Sequence, residues 1–222
     1  MPRPASGKRA SLDGILDCAE QLFAQWGFGG IGLAEVAERA GLAKSSLFHH
    51  FATKAQLYAA VMARLLLRME AELTRALAAG GPPTERLERW LSAFVDVLAA
   101  HPNDARLLLR TLFEDEALGS GLPEAKDADA ALRRIVSSAL RLLREGMGTG
   151  EFRASSATHA LHLLTGATLH HFATGRFGEE LIGRSLFAPS EVRRHKTELL
   201  ELIRHGLVTV PPNRAARPRR RP

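Results

Sequence analysis

The chain has 222 residues, 45% of them hydrophobic and 24% charged, which is an ordinary globular composition with enough apolar material for a buried core. No apolar run approaches the ~20 residues of a bilayer crossing, because Arg64 and Arg68 fence Leu65, Leu66 and Leu67, so no membrane partner is expected. The net charge of +6 does not by itself argue for nucleic acid: residues 1–54 hold six Lys/Arg against five Asp/Glu, residues 55–212 are balanced, and Arg214, Arg217, Arg219, Arg220 and Arg221 supply the rest.

The N-terminal Arg3, Lys8 and Arg9 imitate the start of a secretory leader, but Asp13, Asp17 and Glu20 interrupt what would be its apolar stretch. The single cysteine, Cys18, has no partner for an internal disulfide, in keeping with a reducing cytoplasm. Leu12, Ile15, Leu16, Ala19, Leu22, Phe23 and Trp26 then recur at steps of three and four, the stripe of an amphipathic helix that Gly27 should stop. A short helix is expected over 33–40, broken at Gly41, and another over 44–50. Thr53 and Gln56 have the spacing of a capping box and open a long fourth helix. Gly80-Gly81-Pro82-Pro83 separates it from a fifth that carries Leu87, Leu91, Phe94 and Leu98. His101-Pro102-Asn103 caps the next. Further helices are expected over roughly 126–145, 155–174 and 190–209, with Gly146, Gly148 and Gly150 read as a turn and 175–189 as a loop. No stretch alternates like a strand. The expectation is an all-α fold of about nine helices. It divides into 1–54 with a basic N-terminal arm, a helical domain over 55–212, and a disordered basic tail over 213–222.

The informative segment is Gly27 to Lys54. Two helices of seven or eight residues meet at a four-residue turn containing Gly41, and Val36, Ala37, Leu42 and Leu47 are placed to lock their crossing, as a helix-turn-helix requires. The second helix turns Lys44, Ser45, Ser46, His49 and His50 outward, all hydrogen-bonding types with no acid among them. That is the surface expected of a helix pressed between rows of phosphates, although any helical hairpin has such a turn.

Residues 12–57 resemble the DNA-binding domain of the TetR family of bacterial transcription regulators. The features that carry the likeness are Ile15-Leu16, Ala19, Leu22-Phe23, Gly27-Phe28, Val36-Ala37, Ala40-Gly41-Leu42, Leu47-Phe48, His50-Phe51, Lys54 and Leu57. The resemblance implies that helix 44–50 enters the major groove, with Lys44, Ser45 and Ser46 near base edges or phosphates and His49 and His50 flanking the backbone. It also implies that Lys54 holds a phosphate beside the fourth helix's N-terminus. Two departures weaken the expected backbone contacts. Gly32 stands where the family has a hydroxyl cap, and Phe48 where it has Tyr, a change that should keep the packing and lose one phosphate bond.

The resemblance implies a homodimer on a pseudo-palindromic operator, formed by a late helix pair. Candidates are Ala160, Leu164, Ala167 and His171 on one helix, with Val192, His195, Leu199 and Leu202 on the other. It also implies a small apolar or aromatic effector among the middle helices, with Leu66, Met69, Phe94, Leu98, Leu108, Leu112, Phe113, Phe152 and His170 as candidate walls and release of a repressor as the output. Control by a protein partner, or constitutive DNA binding, stays open. The glycine clusters at 27–32 and 146–150 follow no strand and so are not nucleotide loops. His159, His162, His170 and His171 lack the Cys or acidic partners of a metal site, and Glu114-Asp115-Glu116 reads as a solvated face. No catalytic constellation is present and no cofactor is expected.

Overall fold

A computed structural model describes residues 12–111 and 121–209. The basic arm, Leu112, Phe113, Glu114-Asp115-Glu116 and the arginine tail lie outside these residues. Among the described residues there are ten helices in chain order: α1 (Leu12–Trp26), α2 (Leu33–Arg39), α3 (Lys44–His50), α4 (Lys54–Leu77), α5 (Pro83–Ala100), α6 (Asp104–Thr111), α7 (Pro123–Thr149), α8 (Ala157–Ala173), α9 (Arg176–Ile182) and α10 (Pro189–Gly206). The fold is all-α. The sole β contact described is an isolated bridge between Phe152 and Val208.

The stripe read from α1 is buried along its middle, while Leu12 at its start is half exposed. Ile15, Leu16, Ala19, Leu22 and Phe23 are all in the core, and Val36, Ala37 and Leu47 meet them from α2 and α3. Gly41 sits at φ +67°, the left-handed conformation that a side chain would strain, and its N–H bonds back to Glu38 O while Leu42 N bonds to Ala37 O. The long helix α4 runs through both ends of the molecule. Its first turns bury Leu57, Tyr58, Val61 and Met62 against α1, and its later turns bury Leu65, Leu66, Met69 and Leu73 against α5 and α7. Thr53 Oγ1 accepts the N–H of Gln56 at 3.1 Å, the expected cap. Trp90, fully buried on α5, stacks on Phe94, whereas Trp26 at the end of α1 is exposed.

Two expectations need correction. A tenth helix, α9, occupies part of the segment read as a loop. Its seven residues lie between Gly175 and Gly183, too few for a periodic signal to stand out. The glycines at 146 and 148 do not end α7 but lie inside it, and the left-handed stop is Gly150 alone. Gly146 is required by close approach: the Phe152 ring packs where its side chain would be, and Phe152 N bonds to Gly146 O at 2.9 Å. The same ring belongs to the buried core. Gly146→Ala should therefore destabilise the protein despite the better helix propensity of alanine. Overpacking costs about 1–3 kcal/mol, readable as a lower midpoint in urea unfolding with an unchanged slope.

Candidate nucleic-acid interface

The short helix α3 owes its orientation to one side chain. Leu47 is completely buried, and with it anchored the opposite face of a seven-residue helix must point to water. Lys44, Ser45, Ser46, His49 and His50 are all exposed there, and the helix carries no acid. The imidazoles of His49 and His50 lie edge to face at 5.7 Å. Gly32 caps α2 through its carbonyl, which accepts from Glu35 N and Val36 N at 3.1 Å each, and no side chain caps that end. Phe48 departs from the sequence reading. It is 41% exposed instead of packed, with the Lys44 ammonium 5.6 Å from its ring centre, because residue 47 already fills the inward position and residue 48 lies about 100° round the helix.

Lys54 also differs from its expected role. Its ammonium turns inward, donates to Phe28 O at 2.7 Å and sits 4.3 Å from the centre of the Phe28 ring. Phe28 in turn meets Tyr58 edge to face at 5.3 Å, and Tyr58 meets Phe23 at 5.0 Å. In this structure the lysine clasps the loop after α1 to the start of α4.

A family profile for bacterial regulatory proteins of the tetR family matches residues 15–61, from the first helix through the second turn of α4. Among curated relatives, the transcriptional activator FasR of Mycolicibacterium smegmatis is 29% identical over 122 residues, 51% of this chain and 56% of its own. The regulator RutR of Escherichia coli is 25% identical over 172 residues, 75% of this chain and 78% of its own. The solved structure of the ketosteroid transcriptional regulator KstR2 of Mycobacterium tuberculosis superposes with a TM-score of 0.73 at 19% identity, covering 93% of this chain and 98% of that one. Residues 15–61 thus match the tetR family of bacterial regulatory proteins, and the fold is that of a solved transcriptional regulator.

In this chain, the seam between the three N-terminal helices and the rest is polar and mostly buried. Arg64 of α4 reaches Asp17 at 2.7 Å and Glu20 at 3.0 Å on α1. One turn on, Arg68 bonds both oxygens of Asp104, at 2.8 and 3.0 Å, and lies 3.9 Å from Glu20. Asp104, the first residue of α6, is 0% exposed. At the other end of α6, Arg110 donates to Gln25 O on α1. The sequence reading missed this network because its members are spread over ninety residues and each looks like a solvated surface charge. The helical spacing of Arg64 and Arg68, opposite the one-turn spacing of Asp17 and Glu20, was the available signal.

Two of the surface grooves border the expected effector and dimer residues. α4 and α7 part beyond Leu73 and Ile135, leaving about 430 Å³ lined also by Thr74, Leu77, Ser137 and Arg141. Leu66, Met69, Phe94, Leu98 and Phe152 are core residues, Leu108 is partly buried, and Leu73 and Leu77 continue the α4 stripe of Leu66 and Met69 into this groove. A second, more apolar groove of about 430 Å³ runs between α8 and α10, with Ala160, Leu163, Leu164, Ala167, Leu199 and Leu202 on its walls. Leu163 is 74% exposed and Leu202 is 70% exposed. Leu163 was not anticipated. It lies two turns before His170, which is itself exposed and shares that face of α8, whereas Leu66, Met69, Phe94, Leu98 and Phe152 are in the core. Leu199 is buried and serves the chain's own core. His171 stacks on His195 at 4.1 Å, with Val192 partly buried nearby on α10, and burial pulls His195 down to about 4. His159 bonds Ser156 at the start of α8, and His162 is exposed.

Burial pushes the Asp104 carboxyl up to about 7 against the opposing pull of Arg68. Between its ordinary value of 3.8 and about 7 the folded chain holds a proton that the unfolded chain has released, so this group's stabilisation is complete below 3.8 and is lost as pH rises through 7. Relative to Asp104→Asn, which does not titrate, the wild type should lose melting temperature between pH 5 and pH 8. Each kcal/mol corresponds to about 2–4 °C in a chain of this size, and calorimetry at the two pH values reads the difference.

Proposed function

We propose that the chain is a sequence-specific DNA-binding regulator, most simply a repressor released by an effector, which acts as a homodimer on a pseudo-palindromic operator. Residues 1–54 are its reading unit and 55–212 its effector and dimerisation unit. The observation that carries this reading is the α3 face: five exposed hydrogen-bonding side chains and no acid, held outward by one fully buried leucine. Such a helix donates to phosphates and base edges, and Lys44, Ser45 and Ser46 at its N-terminal end are the base-reading candidates. Gly32 and Phe48 supply no hydroxyl there, so backbone anchoring rests more on Lys44, His49 and His50. Lys54 acts indirectly, by holding the Phe28 loop that α2 follows.

The dimer reading rests on the apolar groove between α8 and α10. Two leucines that exposed, beside the small Ala160 and Ala167, make a face that another copy covers well, and a two-fold axis sets it against itself. A single seven-residue helix reads few bases, so both halves of the dimer are needed for specificity. Duplexes selected from a random pool should bind at least ~10³-fold more tightly than random duplex at the same salt. The double variant Leu163→Glu, Leu202→Glu should sediment as a monomer and lose most of that preference. Equal affinity for selected and random DNA in the wild type would overturn the reading.

The effector reading rests on α4. Its first turn is fixed to the reading unit, and its stripe of Leu66, Met69, Leu73 and Leu77 runs from the core into the groove beside α7. An apolar or aromatic molecule wedged there displaces a stiff rod whose other end carries α3. KstR2, a ketosteroid transcriptional regulator with the same fold, is in keeping with an apolar effector. Coupling of this kind is about 1–3 kcal/mol, or about 5–150-fold in DNA affinity. A release screen with hydrophobic metabolites should find compounds that weaken operator binding and lose their effect in Leu73→Trp, which fills the groove floor. Compounds that bind tightly yet leave DNA affinity unchanged would count against induction and for control by a partner.

A further inference from the structure

Between the end of α3 and the start of α4 lie only Phe51, Ala52 and the cap Thr53, and one side chain beside them reaches two ways. Gln56 stands in the first turn of α4. Its Oε1 accepts the N–H of Ala52 at 3.0 Å, and its Nε2 donates to Oε1 of Glu124 at 3.2 Å. Glu124 belongs to the first turn of α7, sixty-eight residues further along the chain, where the helix dipole favours an acid. Its second oxygen, Oε2, is buried and has no hydrogen-bond partner among the described residues. A carboxylate so placed is held in position by the bond it does make, because moving it without that bond leaves two buried acceptors unmet instead of one.

We propose that Gln56 is a positioning residue for DNA recognition: by tying the α3–α4 junction to Glu124 on α7, it fixes the angle of the recognition helix against the body of the protein. This rests on the dimeric DNA-binding reading above. The backbone link is short but contains rotatable bonds, and the Thr53 cap and the Gln56–Ala52 bond lie on the α3–α4 side of the joint. The bond to Glu124 crosses to α7, the helix packed most extensively along α4. α7 also bears the far side of the groove, where Arg134 pairs with Glu70 of α4. The geometric consequence differs from that of a phosphate contact. A reading unit that swings on its joint still fits one half-site, but two units must fit grooves about one helical turn, ~34–36 Å, apart. Loss of the strut therefore weakens two-site binding and spares one-site binding.

The test uses the full chain and two duplexes: one selected from a random pool with both half-sites, and the same duplex with one half-site scrambled. Gln56→Glu keeps an acceptor for Ala52 and a good capping residue, but sets a carboxylate against Glu124. Glu124→Met breaks the same bond without touching the reading unit or adding charge. Either change should lower affinity for the two-site duplex about tenfold, within the usual range of coupling between sites, and leave one-site affinity at the wild-type level. Gln56→Glu combined with Glu124→Gln puts the amide on residue 124 and the carboxylate on residue 56, remaking the bond in reverse, and should restore two-site affinity. The proposal is overturned if both single variants bind the two-site duplex like wild type, if one-site and two-site affinities fall together, or if the exchanged pair does not recover. A wild type that prefers no duplex over random DNA overturns the DNA-binding reading and this strut with it, and is distinguished from those outcomes by needing no variant.

Discussion

The rest of the structure depends on the docking of the three N-terminal helices onto the first turns of α4. A three-helix unit of some forty residues buries too little apolar surface to be secure alone. Here its core is completed from outside: Leu57, Tyr58, Val61 and Met62 of α4 are as buried as Ile15 and Phe23 of α1. The ring of Tyr58 meets Phe23 and Phe28 edge to face, and Lys54 closes the arrangement over Phe28. The same helix is thus a structural member of both parts. Its interior hydrogen bonds resist bending, so a change in packing near Met69 is felt near Tyr58 as a change of direction and not as a local adjustment.

Beside this apolar joint the seam is charged, and the two differ in what they tolerate. Apolar packing is non-directional, and small slips between rings cost little. The Arg64 and Arg68 pairs with Glu20 and Asp104 are directional, and breaking one leaves a group withdrawn from water without its partner. Such pairs add little net stability over a well-packed apolar seam. They favour one arrangement of α1, α4 and α6 over its neighbours. Because α6 is held at both ends, by Asp104 to Arg68 and by Arg110 to Gln25, it cannot shift against α8 without pulling on α1.

Much of this was legible in the residues. The α1 stripe, the Gly41 turn, Leu47 as the buried anchor of α3 and the Thr53 cap all follow from local rules that act within a few residues. What was missed acts across the chain. Gly146 and Gly148 carry the composition of a turn, yet both lie inside a helix, and at Gly146 a ring from six residues downstream makes glycine a packing requirement. Lys54 looks like a phosphate ligand until Phe28, twenty-six residues earlier, is found beneath it. Phe48 and Leu163 are apolar in sequence and exposed in the fold, because residues 47 and 161 take the inward positions on their helices. His170, a candidate pocket wall only through the family resemblance, is exposed on the face of Leu163.

The positions of the two tryptophans give the molecule a pair of built-in optical labels. Trp26 ends α1 with half of its surface in water, close to the Phe28 loop and the seam. Trp90 lies within the α5 core, stacked on Phe94 and shielded from solvent. The first indole emits from an aqueous environment and is open to quenchers such as iodide. The second emits from an apolar one and is closed to them. A single emission spectrum therefore contains two separable signals, one from the reading end and one from the body. Loosening of one part without the other changes the proportion of quenchable light before any change in helix content.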